Sequence, residues 1–207
     1  MATSSITANF HCDDAKAANA LIENCRPTMS NRRIKRQCRY KTPDGFDDML
    51  MSSDGEALTG LWFDGAPDAQ KHKGNLHASA APCEQIFRET CRWLDIYFSG
   101  HAPDFTPPYR IDGLTPFRRD VVEEVLKIPF GATTTYGAIA ATLARRRGIV
   151  KMSACAVGGA VGWNPICLII PCHRVMGVNG AITGYGGGIL NKIALLKHEG
   201  TSYATGT

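Results

Sequence analysis

Residues 133–162 read TTTYGAIAATLARRRGIVKMSACAVGGAVG, and this stretch decides the class of the C-terminal half. The threonines can cap a helix in which Ile139, Ala140 and Leu143 fall on one face. Arg145 to Arg147 and Gly148 break it, and a second short helix begins near Ser153. Two short helices around a turn match a helix-turn-helix in outline, an outline that many all-α cores share. The second helix is nearly bare of side chains, with Ala154, Ala156, Gly158, Gly159, Ala160 and Gly162. Two adjacent mid-helix glycines cost about 1 kcal/mol each relative to alanine. Either a neighbouring helix packs tightly there, or the helix enters a groove of nucleic acid, where a bulky face does not fit a minor groove roughly 6 Å wide. Charge favours the second reading. From Val125 to His198, 74 consecutive residues hold no carboxylate, while Lys127, Arg145, Arg146, Arg147, Lys151, Arg174, Lys192 and Lys197 lie within them. A polyanion meets no repelling side chain from that segment.

Outward from this stretch, Thr115-Pro116 opens another helix with Phe117, Val121, Val122, Val125 and Leu126 on its apolar face and Pro129 beyond its end. HAPDFTPPY, residues 101–109, reads as a proline-rich linker. From about Ala80 the positions Ile86, Cys91, Trp93, Leu94 and Tyr97 follow a helical period that Gly100 ends. Asp44-Gly45 and Asp54-Gly55 are turn signals, and FDDMLMS and ALTGLWF beside them read as short strands of a meander. Residues 65–75 serve as a loop. Residues 1 to about 38 form a polar extension ending in Arg32, Arg33, Lys35, Arg36 and Arg39, a solvated tail or a nucleic-acid arm.

The chain has 207 residues, 44% of them hydrophobic, too apolar to remain a solvated coil. No run approaches the roughly 18 apolar residues of a membrane span, so no membrane association is expected. The N-terminus shows no secretory pattern, which predicts a cytoplasmic protein, nuclear in a eukaryote, with reduced thiols. None of the eight cysteines forms a C-x-x-C pair, against a thioredoxin-type site and common zinc ribbons.

After Trp163-Asn164-Pro165 comes an apolar run, Ile166 to Ile170, that reads as a buried strand feeding Pro171-Cys172-His173-Arg174-Val175. Such a run can hold one cysteine rigidly, and a thiol needs a base or a positive field to react. His173 is adjacent, but neighbouring side chains on extended chain point apart, so a turn or a bridging water is required to join them. Cys155 and Cys167 read as small buried apolar residues, and Arg174 as a structural cation.

Asn164-Pro165 through PCHRV, preceded by AVGGA and followed by Thr183-Gly184-Tyr185 and Leu196-Lys197-His198-Glu199-Gly200, resembles the O6-alkylguanine-DNA alkyltransferase family. The resemblance is close over about residues 105–200 and looser over 40–65. It implies an α/β (α+β) fold: a small RNase H-like sheet-and-helix domain over 39–104, joined to a helical C-terminal domain with a helix-turn-helix over 105–207. It implies DNA repair by irreversible, single-turnover transfer of the alkyl group of O6-alkylguanine, with O4-alkylthymine as a further candidate, to Cys172. His173 is then the base acting through a water, Glu199 its orienting partner, and Asn164 the brace of the turn. Tyr136 assists base extrusion and the leaving guanine. Tyr185, Gly186 and the Val175 carbonyl line the base site. Thr135, Tyr136, Ser153, Ala154, Cys155, Ala156 and Gly159 face double-stranded DNA in its minor groove, with the target base flipped. No cofactor and no metal are implied, and the protein acts as a monomer. At position 155, where the family carries an arginine that fills the gap left by the extruded base, this chain has cysteine; Lys151 or the 145–147 arginines are candidates to replace it. Two rivals stay open: a non-catalytic helix-turn-helix module that binds DNA or senses lesions, and a Cys-His thiol hydrolase.

Overall fold

The computed structural model describes residues 36–67, 69, 77–78 and 85–201, so the extension before residue 36 and most of the 65–75 loop lie outside the described residues. Four strands form one sheet in the order β3-β2-β1-β4: β1 Arg36–Tyr40, β2 Met49–Ser53, β3 Leu58–Phe63 and β4 His77–Ala78. The first three are an antiparallel meander with Tyr40 opposite Met49 and Met49 opposite Phe63, and β4 runs parallel to β1. The expected turns sit between them, with Gly45 at φ 99° and Gly55 at φ 92°, values that a side chain would oppose. The sheet begins earlier than the change of composition at Tyr40 suggests. Arg36, Gln37 and Cys38 already pair with β2, because the backbone ladder is indifferent to a polar side chain that points to solvent on an exposed strand face.

Helix α1, Gln85–Phe98, covers the sheet with Ile86, Phe87, Thr90, Trp93, Leu94 and Tyr97. Leu94 and Tyr97 join Met49, Leu61 and Phe63 in a core that continues through Val121, Leu143 and Ile166 of the C-terminal half. That half carries α2 Pro116–Leu126, α3 Tyr136–Arg146, α4 Ala154–Val161 and α5 Ile189–His198. Three of the helices open on a hydroxyl cap: Thr115 accepts from Arg118 N at 3.3 Å, Thr135 from Ala138 N at 3.0 Å and Ser153 from Ala156 N at 3.3 Å. Each such cap is worth about 1 kcal/mol. Helices α3 and α4 follow one another through residues 147–153, with Ile139, Ala140 and Leu143 buried as the period predicts. The result is a mixed α/β chain of five described helices and a small, mainly antiparallel sheet.

Two backbone connections place the later site. The outer edge of β3 is covered by short parallel bridges: Leu58 N donates to Pro108 O at 2.9 Å, Leu61 N to Pro165 O at 2.9 Å, and Cys167 N to Leu61 O at 2.8 Å. Thr134–Thr135, β5, pairs with Val175–Met176, β6, and so ties the start of α3 to the PCHRV segment.

The run Ile166–Ile170 is buried as expected but is not a strand. It is a tight turn in which Ile169 N donates to Cys167 O at 2.9 Å and Ile170 N to Ile166 O at 3.1 Å. Leu168 sits at its tip with φ 67°, a left-handed conformation that costs an L-residue about 1–2 kcal/mol. Burial of the side chain offsets that cost, and Asn164 supplies the partners a sheet would have supplied. Its Nδ2 donates to Ile166 O at 3.3 Å and Ile170 O at 2.9 Å, and its Oδ1 accepts from Ile166 N at 3.0 Å.

Candidate active site

The turn braced by Asn164 delivers the chain to Pro171 and then to one turn of 3-10 helix, Cys172–Arg174. This turn sends the adjacent side chains of Cys172 and His173 in different directions. Cys172 Sγ accepts from Asn164 Nδ2 at 3.0 Å. His173 is fully buried and points away, with Nε2 2.7 Å from Glu199 Oε1. No hydrogen bond joins Cys172 to His173 among the described residues, and His173 Nδ1 is buried without a hydrogen-bond partner.

Glu199, at the C-terminal end of α5, is the hub. Arg174 Nε donates to its Oε2 at 2.9 Å and an Arg174 terminal nitrogen to Oε1 at 2.9 Å; Gly131 N reaches Oε2 at 3.1 Å, and Tyr97 OH reaches Oε1 at 2.6 Å. Burial pushes the carboxyl pKa up, but the hydrogen bonds from His173 and Arg174, with that from Tyr97, outweigh it and hold the group well below the usual range. An ionised carboxylate only accepts, so His173 donates from Nε2 and keeps a lone pair on Nδ1. Burial lowers the His173 pKa and outweighs the opposing pull of Glu199. A neutral imidazole with its basic nitrogen unengaged is suited to take a proton.

The Cys172 thiol is lowered below its ordinary value. The largest cause is a hydrogen bond from Cys167; burial opposes it, and Asn164, Tyr185 and the charge on Lys192 add to the lowering. Cys172 opens onto a cavity of about 50 Å³ lined also by Trp62, Tyr136, Asn164, Cys167 and Tyr185, with Gly158 of α4 and Gly186 at its walls. Thr183 Oγ1 donates to Tyr136 OH at 3.4 Å. Burial raises the pKa of Tyr136 and, further, that of Tyr185, so both remain phenols.

The structure therefore gathers Tyr136, Asn164, Cys172, Tyr185 and Gly186 around one cavity and sets His173 and Glu199 behind it. Val175 is also behind it: its carbonyl accepts from Lys192 Nζ at 2.7 Å. Thr135, Ser153, Ala154, Cys155, Ala156 and Gly159 lie outside the cavity. Thr135 and Ser153 are helix caps, while Ala154, Cys155 and Ala156 are exposed on the first turn of α4, so Cys155 is not the buried residue expected.

Three side chains of the site escape a reading of the sequence alone. Tyr97 looks like one more apolar position of α1. Lys192 looks like a surface cation of α5. Cys167, expected as a packing residue, turns its thiol to Cys172 because the chain reverses at Leu168. The 145–147 arginines need correction as well. Arg146 pairs with Asp120, Glu123 and Glu124, and Arg147 with Asp120, all on α2. Those carboxylates lie just before the acid-free run, and they neutralise part of its charge. Arg145 and Lys151 are both exposed and carry no ion pair among the described residues, so of these four cations Arg146 and Arg147 alone are tied to α2.

Residues 116–201 match the family model described as 6-O-methylguanine DNA methyltransferase, DNA binding domain. A methylated-DNA–protein-cysteine methyltransferase of Methanosarcina acetivorans is 42% identical over 162 residues, spanning 78% of this chain and 96% of that protein. The chain belongs to the methylated-DNA–protein-cysteine methyltransferase family. The Salmonella typhimurium methyltransferase is 44% identical over 104 residues, which span 50% of this chain and 58% of that one. Among solved structures, Mycobacterium tuberculosis OGT in complex with DNA superposes with a TM-score of 0.64 at 32% identity, covering 80% of this chain and 91% of that one. The O6-methylguanine methyltransferase of the same organism gives 0.61 at 33%, covering 80% and 92%. As a methyltransferase of this family the chain is a DNA-repair enzyme that moves an alkyl group to a protein cysteine.

Proposed function

We propose that Cys172 is the acceptor, that the donor is O6-alkylguanine in double-stranded DNA, and that the protein acts once, as a monomer. The supporting observation is the cavity in which the Cys172 sulfur, lowered in pKa, faces Tyr136 and Gly158 of α3 and α4, read as the helix-turn-helix, with His173 and Glu199 behind it. A DNA-facing element and an activated nucleophile thus share one opening.

In this reading the minor groove meets α4 and the target base leaves the stack, because a nucleophile cannot reach the alkyl carbon in line inside a duplex. The cavity holds no more than a few water molecules, so a purine enters only as the 184–187 segment yields. The Cys172 proton passes through a bridging water to His173 Nδ1, and Glu199 stabilises the imidazolium that forms. Sulfur then bonds to the alkyl carbon as the carbon–O6 bond breaks, and the electron pair stays on guanine. The guanine takes up a proton with help from the Tyr136 hydroxyl. Asn164 holds the sulfur in line, Tyr185 and Gly186 contact the base, and the Val175 carbonyl, which already accepts from Lys192 Nζ, meets it with its second lone pair only once the 184–187 segment has yielded. The product is a thioether with no carbonyl for water to attack, so the sulfur is not regenerated.

Incubation with an oligonucleotide containing O6-methylguanine, followed by intact mass and peptide mapping, tests this. One methyl on Cys172 and no turnover beyond one equivalent are expected, and Cys172→Ala should bind DNA without transfer. An unmodified Cys172 would sink the reading, and repeated turnover would indicate hydrolysis instead.

A further inference from the structure

Tyr97 comes from α1, far in sequence from every reacting group, yet it is fully buried and donates to Glu199 Oε1 at 2.6 Å. That oxygen also accepts from His173 Nε2 at 2.7 Å, and Tyr97 OH lies 3.5 Å from Nε2 itself. The ring is fixed from several sides. It stacks on Trp93 with centroids 5.5 Å apart and meets Phe130 edge-on at 5.7 Å, and its backbone carbonyl accepts from His198 Nε2 at 2.8 Å. Phenylalanine would fill the same space, so the hydroxyl is the atom that needs a reason.

We propose that Tyr97 is a positioning residue of the transfer reaction: its hydroxyl shares Glu199 Oε1 with His173 and so sets how tightly the imidazole holds a proton. The proposal rests on the reading of His173 as the base for Cys172. A donor on the shared oxygen draws off part of its charge, and the imidazolium then gains less from Glu199. The neutral ring, the form with a lone pair on Nδ1, persists to lower pH. The shorter contact to Glu199 outweighs the longer one to Nε2.

The other charged and titratable groups facing this cluster stay fixed when the phenol is changed. Arg174 holds both carboxylate oxygens, the Gly131 N–H holds one, Arg174 and Lys192 act on the ring through their charge, and His198 contacts Tyr97 rather than Glu199. Burial and then the charge on Glu199 push the Tyr97 pKa well above 10, so the hydroxyl is a donor throughout the working range.

The test uses full-length Tyr97→Phe and a protein with a fluorinated tyrosine at position 97, a stronger donor of nearly the same shape. Two quantities are read: the acid limb of the transfer rate on O6-methylguanine DNA against pH, and the NMR titration of His173 without DNA. With phenylalanine both should move up by about one pH unit, the size of one charge-assisted hydrogen bond, and with fluorotyrosine both should move down. A merely structural tyrosine predicts a lower Tm and unmoved titrations. Unmoved values in either folded variant overturn the proposal, and the fluorotyrosine protein decides alone if the phenylalanine variant does not fold. A His173 titration that shifts while the rate profile stays put would overturn the base assignment, and with it the role of Tyr97 in transfer.

Discussion

Lys192 enters the core from the first turn of α5 with no exposed surface and gives its Nζ to the Val175 carbonyl. Burial pushes its pKa down to about 8, against the favourable charge of Cys172. An ammonium is expensive to bury, and here it faces one carbonyl and one thiolate. Lys192→Met keeps the length of the side chain and removes both the charge and the donor. The folded protein should be as stable as the parent or more so, because the desolvation cost disappears with the charge. The thiolate should form at higher pH and methyl transfer should slow several-fold, since the Lys192 charge is one of the causes that lower the thiol. Thermal melts, ultraviolet titration of the thiolate and single-turnover rates measure the three effects; an unchanged rate would show that the Lys192 charge does not reach Cys172. Nothing in the sequence distinguishes this lysine from an exposed one, since its helix places it by a fold that brings Val175 alongside. Cys172, His173 and Glu199 are legible because they sit in short, specific motifs, whereas Tyr97 and Cys167 acquire their roles only through neighbours brought from elsewhere.

At the scale of elements, α4 shows where pattern reading succeeds and where a question stays open until coordinates answer it. Its cap and length follow from Ser153 and the small residues after it. Whether its glycines serve internal packing or an external partner does not. A Cβ on Gly159 would meet nothing within 4 Å, and one on Gly158 would stand 3.8 Å from the Tyr136 ring, an ordinary contact. Internal packing therefore gives no reason for Gly159. Gly159→Ala should raise helix stability by about 1 kcal/mol and Tm with it, while weakening affinity for duplex DNA several-fold, measured by fluorescence anisotropy at fixed salt. Unchanged affinity would mean that this face of α4 stays clear of the DNA. Gly187 has the opposite character: a Cβ there would lie 2.4 Å from Tyr185 Cε1 and 3.0 Å from Phe63 Cδ2, so this glycine packs the pocket wall instead of enlarging it. The 166–170 turn is the element whose apolar run misleads. A continuous apolar run reports burial, while its hydrogen bonds go to the side chain of Asn164, to its own turn and, through Cys167 N, to the edge of β3.

At the scale of the whole molecule, residues 1–103 carry a net charge of −1 and residues 104–207 a net charge of +5, yet the acid-free run is less positive in space than in sequence because α2 neutralises Arg146 and Arg147. The sheet and the helical half meet through backbone bonds at the β3 edge and through the buried Tyr97, His173, Arg174 and Glu199 cluster. That cluster couples folding to pH. His173 has a folded pKa below its ordinary 6.5, so the unfolded chain binds the proton more readily; its contribution is complete above pH 6.5 and is lost as pH falls through and below that value. Glu199 is held well below its ordinary 4.5, so its contribution is complete above pH 4.5 and is lost below it. Lys192, lowered to about 8, adds a rise in stability between pH 8 and 10.5 and no slope below, where both states are charged. Urea unfolding should therefore show no slope from these three groups between pH 7 and 8, where the lowered Cys172 thiol adds a fall with falling pH, then a loss as one extra proton is taken up on unfolding below about 6.5, and a steeper one below about 4.5. In His173→Gln the first of these losses should vanish while the second remains. A wild-type stability that stays level from pH 7 to 5 would show that the buried imidazole is accommodated in its charged form, and the role of His173 as a neutral base would fall with it.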